Sequence, residues 1–457
     1  MVQPTALRRH LTNWLLPIVA VAPFLSIYLM HYTCDRGQPT GFIGYDQPCY
    51  VANGRAIFEH GNGFAYPNPF DPDPDSPVIY FHWLLWVLGF GVTKLGIDPG
   101  CMYVGVGVAS AVLCSRLTLA LVDRCSPGSG HRTVLFLFTM WGGGLFTVAA
   151  LLANLSRGHS YWSDLTRFDP AYGWWFQSWG RNLVYSTEAT YHLLMAAAWL
   201  GVIDGRWKLS LLAASLLAST HPYSGMQVLT ILVAFCAVSW CLPSVRKPPI
   251  WFCIAILAVF LCFLGYYLGY LPQFEQHHDL VERITRGYEL EPAALLLALP
   301  LVAAVAGIRL WSDFRRIDSS VVFLLACFSI SLLLANHGSF VKPRQPIHFT
   351  RGYIWLPLCL LGLPALEQAL AWLRNRLRPK PVLAIVAVTL AVVAVADNLA
   401  FLAQYYHRRA DWGFFFTPGE RQILQQMDDQ HLNGVLLCED HALSYLSAAY
   451  TGVRPYS

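Results

Sequence analysis

Side chains suited to acid–base chemistry and to phosphate binding stand at the edges of long apolar segments. Asp46 lies in a Gly-Tyr-Asp-Gln-Pro motif, and Glu188 precedes His192 by one helical turn. His221 begins a His-Pro-Tyr-Ser-Gly motif. Three further candidates precede another apolar segment: Arg344, His348 and Arg351. A carboxylate can act as a general base, and arginine or histidine donors can stabilise a phosphate. Together such groups would form a site for a phosphate-bearing amphiphile.

The elements that must position these residues are mostly membrane spans. Of the 457 residues, 55% are hydrophobic and 13% charged, whereas a soluble domain carries about 25% charged residues. Segments without Asp, Glu, Lys or Arg supply about a dozen spans of the length that a bilayer requires. The net charge of +4 is spread over loops and forms no basic stripe, which argues against nucleic-acid binding. The apolar runs are continuous, which argues against a porin-type barrel.

Basic residues predict the orientation of the spans, because cytoplasmic loops are rich in Lys and Arg. The basic segments predicted to be cytoplasmic are the N-terminus, 205–208, 245–247, 309–318 and 374–380. The candidate residues all fall between these segments, so we expect them on the extracytoplasmic side. An N-terminus inside and a C-terminus outside need an odd number of spans, whereas twelve are counted. The number of spans between residues 79 and 187 therefore stays open.

Each candidate also has a structural interpretation. Asp46 fits a helix N-cap, because a proline follows two positions later. Glu188 fits a helix-start carboxylate with His192 as its i+4 neighbour, and His221 fits a plain turn between helices. The two arginines fit interfacial anchors. Polar groups at the membrane boundary are costly unless they are paired or hydrated, which favours a function for some of them.

The first predicted extracytoplasmic loop, residues 32–77, is too long to be a simple connection. Its centre predicts a short interfacial helix that begins at Asp46 and ends in a His-Gly pair. Tyr50 would lie on the apolar face of this helix, whereas Arg55 and Glu59 would face water. A carboxylate fixed just above the membrane suits a substrate whose tail is in lipid and whose head is in water.

An acidic run follows this helix: Asp71, Asp73 and Asp75. Its carboxylates could bind a divalent cation, or the run could be a stiff solvated loop spaced by prolines. No cofactor is certain, and a divalent cation stays an open alternative. The same loop contains Cys34 and Cys49, which could form a disulfide in an oxidising compartment.

The tail, residues 403–457, becomes water-soluble after the membrane domain 1–402. A Thr-Pro-Gly-Glu sequence predicts an amphipathic helix over 417–430. A short strand over 434–438 and another helix over 442–450 follow. One strand cannot form a stable sheet alone, so the tail must pack on the membrane domain or on a partner, or the sequence is truncated.

The sequence resembles the GT-C superfamily, which comprises multi-pass glycosyltransferases that take a sugar from a polyprenyl-phosphate carrier. The resemblance rests on one span followed by a long outer loop, in which Asp precedes a short amphipathic helix ending in Gly. The matching stretches are 44–50 with Ala52 and Arg55, 59–61, 77–80, 221–225 and 344–353. The Trp-Trp-Asp motif of oligosaccharyltransferase catalytic subunits is missing, since residues 173–176 read Gly-Trp-Trp-Phe. This difference argues against protein N-glycosylation.

The resemblance implies an all-α polytopic membrane protein with about 11–13 transmembrane helices of GT-C type, a long first loop and a small α/β tail. It implies an inverting hexosyl- or pentosyltransferase of the bacterial inner membrane, whose partners are a polyprenyl-phosphate sugar donor and membrane lipid. Asp46 would be the general base. The donor phosphate would be bound by Arg344, Arg351 and His348. The substrate would be bound by Tyr50, Arg55, Glu188, His192 and His221.

Two other functions compete with a glycosyltransferase. A transporter or flippase of a lipid or small solute would typically show two related halves and acidic residues at mid-membrane, and neither is evident. A noncatalytic scaffold would leave the extracytoplasmic polar motifs unexplained. The sequence therefore favours transfer of a sugar, and the identities of sugar and acceptor stay open.

Overall fold

The computed structural model describes residues 6–44, 46–68, 73, 75–160, 164–168, 178–284, 292–312, 318–377, 381–407, 413–432, 434–438 and 441–456. The α-helices within these ranges are α1 (Ala6–Tyr32), α2 (Gln47–Glu59), α3 (Trp83–Leu95), α4 (Pro99–Cys125), α5 (Arg132–Trp141), α6 (Phe146–Arg157), α7 (Ser186–Asp204), α8 (Trp207–Ala218), α9 (Pro222–Cys241), α10 (Ile250–Leu264), α11 (Glu275–Ile284), α12 (Pro292–Ala298), α13 (Pro300–Ser312), α14 (Ser319–Ala335), α15 (Trp355–Leu377), α16 (Pro381–His407), α17 (Pro418–Asp429) and α18 (His441–Tyr450). The strands are β1 (Gln38–Pro39), β2 (Ala65–Tyr66), β3 (Tyr80–Phe81), β4 (Phe415–Phe416), β5 (Val435–Leu437) and β6 (Arg454–Tyr456).

The chain is an integral multi-pass membrane protein of the predicted all-α class. Among the described residues, 6 helices are long and apolar enough to cross a membrane, and the bent pair α5–α6 would make a seventh span. Four apolar helices are shorter, at 10–17 residues: α3, α8, α13 and α14. Within the described ranges, six or seven spans are full length, and the other apolar segments form short helices.

Helix α7 occupies the centre of the membrane domain and is buried along most of its length. Gly107 of α4 allows these two helices to approach closely, since a Cβ there would lie 2.1 Å from Oγ of Ser186. Across the same contact, Oγ of Ser110 and Oγ1 of Thr190 are 3.0 Å apart. The close packing fixes the first turns of α7, which carry Glu188.

A break in one apolar segment separates α5 from α6, which meet at 63°. Residues 142–144 at the break are all glycine. The carboxylate of Asp397, on α16, accepts hydrogen bonds from the backbone N–H groups of Gly144 and Thr147, each at 2.8 Å. Together the two helices are long and apolar enough for one broken span. The glycines interrupt the helix, and a carboxylate from a distant helix satisfies the exposed N–H groups.

A buried polar cluster surrounds this break. Arg181 donates from Nε to Oδ1 of Asn398 at 3.0 Å, and from Nη2 to the carbonyl of Asp397 at 2.8 Å. Its guanidinium lies 4.7 Å from the ring centroid of Phe401. Nδ2 of Asn398 donates to the carbonyl of Trp141 at 2.8 Å. These residues, with Asp397, form what we call the break cluster, and they satisfy one another.

Helix α2 of the first loop packs against α3, which follows the loop. Gly54 and Gly89 face each other in this contact, and a Cβ on Gly54 would lie 2.5 Å from the carbonyl oxygen of Leu85. Helix α18 of the tail also packs on α2. The tail therefore packs on the membrane domain, one of the alternatives that the sequence left open.

Arg55 attaches the tail to α2. Its Nη2 lies 2.8 Å from Oδ1 of Asp428 and 2.7 Å from Oε1 of Glu59, and Nη1 donates to the carbonyl of Ala449 at 3.4 Å. The residue is 8% exposed. The prediction that Arg55 faces water is wrong, because the tail covers this side of α2.

The elements of the tail agree with the prediction. Helix α17 begins with a capping box, in which Glu420 N donates to Thr417 Oγ1 at 3.2 Å and Thr417 N donates to Glu420 Oε2 at 2.7 Å. Strands β5 and β6 pair in parallel, β2 and β3 pair antiparallel, and β4 pairs antiparallel with β1 of the first loop. Cys34 and Cys49 are free thiols, so the disulfide considered from the sequence is not formed.

Candidate active site

Asp46 stands at the N-cap position of α2, but its carboxylate makes no capping hydrogen bond. Gln47 holds this turn instead, since its Oε1 accepts from the backbone N–H of Ile43 at 2.8 Å. Burial raises the pKa of the Asp46 carboxyl, and the nearby charge of Arg351 acts in the opposite direction. A capping carboxylate would have a lowered pKa and would be a poorer base. Asp46 therefore does not serve as the cap of α2.

Arg351 and Glu188 form a buried ion pair, with side chains 2% and 6% exposed. Nη1 of Arg351 donates to Oε1 of Glu188, whereas Oε2 of Glu188 accepts no hydrogen bond from any residue that the structure describes. Asp46 lies within electrostatic range of both residues. With both carboxylates ionised, this group of three charges has one negative charge in excess.

The backbone that presents Arg351 is strained. Its φ is 30°, and the φ of Gly352 is 78°. A left-handed conformation at a non-glycine residue costs on the order of 1–3 kcal/mol and persists only where surrounding contacts enforce it. His192 supplies one such contact, because its Nε2 lies 2.8 Å from the carbonyl oxygen of Arg351. The backbone is thus held in a conformation that points the guanidinium at Glu188.

His192 lies behind Arg351. It is fully buried, and its ring packs at 4.6 Å from Trp179 and 4.9 Å from Tyr353, measured between centroids. The sequence predicted a substrate contact for His192. In the structure aromatic rings enclose His192 and its Nε2 lies at the Arg351 carbonyl, so the residue contacts the outer side chains only through Arg351 and Glu188.

Two histidines next to Arg351 have tautomers assigned by their hydrogen bonds. Nδ1 of His221 accepts from the backbone N–H of Ser224 at 3.1 Å and so caps α9. Nδ1 of His348 accepts from Nη2 of Arg351. Each imidazole therefore has its proton on Nε2. Burial and the charge of Arg351 lower the pKa of His348 well below its usual value, so this ring is a neutral donor.

Rings connect the Asp46 side of this group to the Arg351 side. The ring of Tyr50 is 6.3 Å from that of His82, and Nε2 of His82 is 3.4 Å from the hydroxyl of Tyr191. Tyr191 stacks on His221 at 4.6 Å, and the rings of His221 and His348 are 5.7 Å apart. The predicted residues that the structure brings together are Asp46, Tyr50, Glu188, His221, His348 and Arg351. We call this group the outer cluster.

Arg344 lies at the exposed edge of the outer cluster. Its side chain makes no ion pair within the described part of the chain, and its backbone N–H donates to Nε2 of His337 at 2.8 Å. It is within electrostatic range of Tyr223, whose ring stacks on His348 at 4.6 Å and 10°. Arg344 is therefore at the mouth of the cluster and not inside it.

Solved structures of the oligosaccharyltransferase of Archaeoglobus fulgidus are similar to this chain. The apo form has a TM-score of 0.50 at 10% sequence identity, and the match covers 98% of this chain and 64% of that one. The form tethered to an acceptor peptide containing the NVT sequon gives the same values. The chain shares the fold of these structures. It spans less than two thirds of the length of these proteins. No protein-family model and no curated protein match it.

The polytopic helical fold that the sequence resemblance implied is thus confirmed. The start of α2, α7 and α9 and the turn before α15 meet at the same end of the helix bundle. One predicted substrate-binding residue, Arg55, lies outside the outer cluster, at the junction between α2 and the tail.

The acidic run does not form a metal site among the described residues. Asp71 lies outside the described residues, and Asp73 accepts from the backbone N–H of Asp75 at 2.9 Å in an exposed local turn. In the described ranges no three His, Cys, Asp or Glu side chains converge as metal ligands do.

Sequence analysis missed three residues in the lining of the outer cluster: His82, Tyr103 and Tyr191. Burial lowers the pKa of His82 to about 3, so its ring is neutral. His82 could have been noticed in the sequence, because it is a polar residue immediately before an apolar segment. The two tyrosines gave none, because tyrosine is common in spans and sequence does not reveal where a hydroxyl points.

Proposed function

We propose that the chain is an inverting glycosyltransferase, which moves a sugar from a polyprenyl-phosphate carrier to an acceptor hydroxyl. The observation that carries this proposal is the uncapped Asp46 carboxylate beside the buried Arg351–Glu188 pair and two imidazole donors. The GT-C fold supports the same class of reaction.

Asp46 would accept the proton of the acceptor hydroxyl as that oxygen attacks the anomeric carbon. The bond between the anomeric carbon and the carrier phosphate breaks, and the phosphate leaves with the electron pair. One displacement from the opposite face inverts the anomeric centre. General-base assistance of this kind contributes about 10²–10⁴-fold to the rate. The raised pKa of Asp46 brings its basicity closer to neutral pH.

The leaving phosphate gains negative charge, which preorganised donors can stabilise. Nε2–H of His221 and Nε2–H of His348 are neutral donors next to the Arg351 guanidinium. Neutral imidazoles beside one guanidinium provide donors without adding further buried charge. Arg344, exposed at the mouth, would attract the phosphate as it approaches.

The membrane places constraints on where this reaction occurs. The carrier tail would lie in the bilayer, and the outer cluster would face the extracytoplasmic side of a bacterial inner membrane, with the N-terminus in the cytoplasm. Residues 1–402 would form the catalytic membrane domain and residues 403–457 a tail that supports α2. Whether transfer requires a divalent cation is tested by adding a chelator to the assay.

The decisive experiment replaces Asp46→Asn in full-length protein reconstituted with polyprenyl-phosphate donors carrying glucose, mannose, galactose or arabinose. Transfer should fall by at least about 10²-fold while thermal unfolding stays close to that of the wild type. Asp35→Asn is the matched control, because Asp35 is an exposed carboxylate of the same loop.

Full transfer activity of the Asp46→Asn protein would contradict the base assignment. A wild-type protein that consumed none of these donors, yet moved them across the bilayer intact, would contradict the enzyme class and support the flippase alternative.

A further inference from the structure

Three buried polar atoms around the outer cluster have no hydrogen bond within the described part of the chain. They are Oε2 of Glu188, Nδ1 of His82 and the hydroxyl oxygen of Tyr103. Buried polar groups in native proteins are nearly always satisfied, so an unsatisfied group calls for an explanation. Three such groups on three different helices point to a ligand that supplies the missing partners.

Glu188 is engaged on one side only. Its Oε1 accepts from Arg351, and Oε2 has His192 Nδ1 at 3.9 Å, which is beyond hydrogen-bond distance. Oε2 therefore remains an acceptor for a hydroxyl donor. The residue is 5% exposed, so bulk water does not solvate it freely.

Tyr103, on α4, is 1% exposed. Its hydroxyl lies beside Thr187 but forms no hydrogen bond of proper geometry. Its ring lies 5.6 Å from that of Phe42 and 6.5 Å from that of Tyr50. The ring is therefore held by packing, and its hydroxyl is available both as a donor and as an acceptor.

His82 occupies the N-cap position of α3 but does not cap it. Its Nε2 is 3.4 Å from the Tyr191 hydroxyl, and its Nδ1 has no partner. The imidazole is 6% exposed. It thus offers one further polar atom that the folded chain leaves unused.

Tyr50 is the common neighbour of the three residues. Its ring lies between those of His82 and Tyr103, at 6.3 and 6.5 Å, and it is within electrostatic range of Asp46 and Glu188. Tyr50 therefore links all three residues to the neighbourhood of the candidate base.

We infer that Tyr103, His82 and Glu188 form a subsite for the hydroxyl groups of the transferred sugar. The inference rests on the proposed function and specifies it further. Each ring hydroxyl of a sugar can donate and accept, which matches a carboxylate oxygen, a phenol and an imidazole nitrogen. The aromatic faces of Tyr50 and Tyr103 provide the apolar lining that ligand pockets commonly have. The subsite lies beside Asp46, where the anomeric carbon has to be.

The test uses Tyr103→Phe in the full-length protein, with the donor panel described above and single-deoxy forms of the best donor. Because the hydroxyl has no partner in the free protein, its removal should leave thermal unfolding unchanged or slightly raised. The value of kcat/KM for the complete sugar should fall about tenfold. For the deoxy donor that lacks the contacted hydroxyl, wild type and variant should be equal.

Tyr266→Phe is the matched control. The Tyr266 hydroxyl donates to the carbonyl of Ile79 at 2.8 Å, outside the outer cluster. This variant should lose stability without any change in the relative use of complete and deoxy donors. Tyr103→Phe should change the use of the donors but not the stability, and Tyr266→Phe should do the reverse. This contrast distinguishes a loss of sugar binding from a loss of folding.

Binding of polyprenyl phosphate without a sugar shows whether Tyr103 recognises the sugar or the phosphate of the donor. The Kd of this probe should be the same for wild type and Tyr103→Phe. An equal loss for the bare phosphate and the sugar-bearing donor would overturn the inference, since the group recognised would be the phosphate. Equal kcat/KM for wild type and Tyr103→Phe on every donor would overturn it too, and would mean that only water fills the space. Absence of transfer by the wild type would instead refute the proposed function.

Discussion

The outer cluster and the break cluster are both buried and charged, yet they differ in how completely their polar atoms are satisfied. In the break cluster both carboxylate oxygens of Asp397 accept backbone N–H groups, and Arg181 donates to oxygens of α16. In the outer cluster one oxygen of Glu188 has no hydrogen bond, and the backbone at Arg351 is strained. Burial and charge alone would not distinguish the two.

Because the two clusters differ in how completely their polar atoms are hydrogen-bonded, we expect them to have different roles. A satisfied cluster stabilises the fold, and removing a member leaves a buried group without its partner. An unsatisfied cluster is kept at a cost in stability, which is typical of sites that bind a ligand. Perturbing the outer cluster should change activity first, whereas perturbing the break cluster should change stability alone.

The largest effect is expected from Arg351→Met. Loss of the guanidinium leaves Glu188 charged and buried, which costs about 3–5 kcal/mol of unfolding free energy. Transfer should also become undetectable, because the donor phosphate loses its cation. Thermal unfolding in detergent and transfer assays measure both effects.

The double variant Arg351→Met/Glu188→Gln is the control for folding. It should recover most of the lost stability while remaining inactive. Recovery of transfer together with stability would show that Arg351 has only a structural role.

An intermediate effect is expected from Asp397→Asn. One of the two backbone N–H groups would then face an amide NH₂ and lose its acceptor, at a cost of about 1–3 kcal/mol. The folded fraction should retain the KM of the wild type for its donor. A raised KM with unchanged thermal unfolding would reverse the roles assigned to the two clusters.

The smallest effect is a pH dependence that originates at Asp46. Because burial raises its pKa, folded protein holds this proton at a pH where unfolded protein has lost it. Its contribution to stability is therefore complete below the unfolded pKa and is lost as pH rises through the folded value. Activity should change in the opposite sense, since the base must be deprotonated.

The profile of kcat/KM against pH should accordingly show an acidic limb with an apparent pKa above the usual aspartate value of about 3.9. The melting temperature should decline slightly over the same interval in the wild type and stay level in Asp46→Asn. An acidic limb at or below the usual value would show that another group controls the rate.

Local patterns allowed several of these features to be predicted. The i, i+4 spacing of Glu188 and His192 placed both on one side of α7, and the Thr417–Glu420 box gave the start of α17. The burial of Arg55 could not be predicted, because the residues that cover it belong to the tail. Its partner Asp428 is about 370 residues away in sequence. The break at residues 142–144 likewise depends on Asp397, which follows some 250 residues later.

The lining of the candidate site shows the same limit. Asp46 could be singled out because a charged residue near lipid is rare. Tyr103 could not, since its importance rests on a hydroxyl that lacks a partner, and only the folded arrangement of α2, α4 and α7 reveals that. Rare residue types are visible in a sequence, whereas unsatisfied atoms are visible only in a structure.

The contacts of Arg55 have a practical consequence for protein production. The helix that begins at Asp46 is braced on its far side by Asp428 and by the Ala449 carbonyl, both in the tail. Protein shortened after α16 would leave this arginine without two of its partners and would expose a surface of α2 that is normally covered. Purified material lacking the tail would therefore be a poor reference for turnover, even if its membrane helices remained intact.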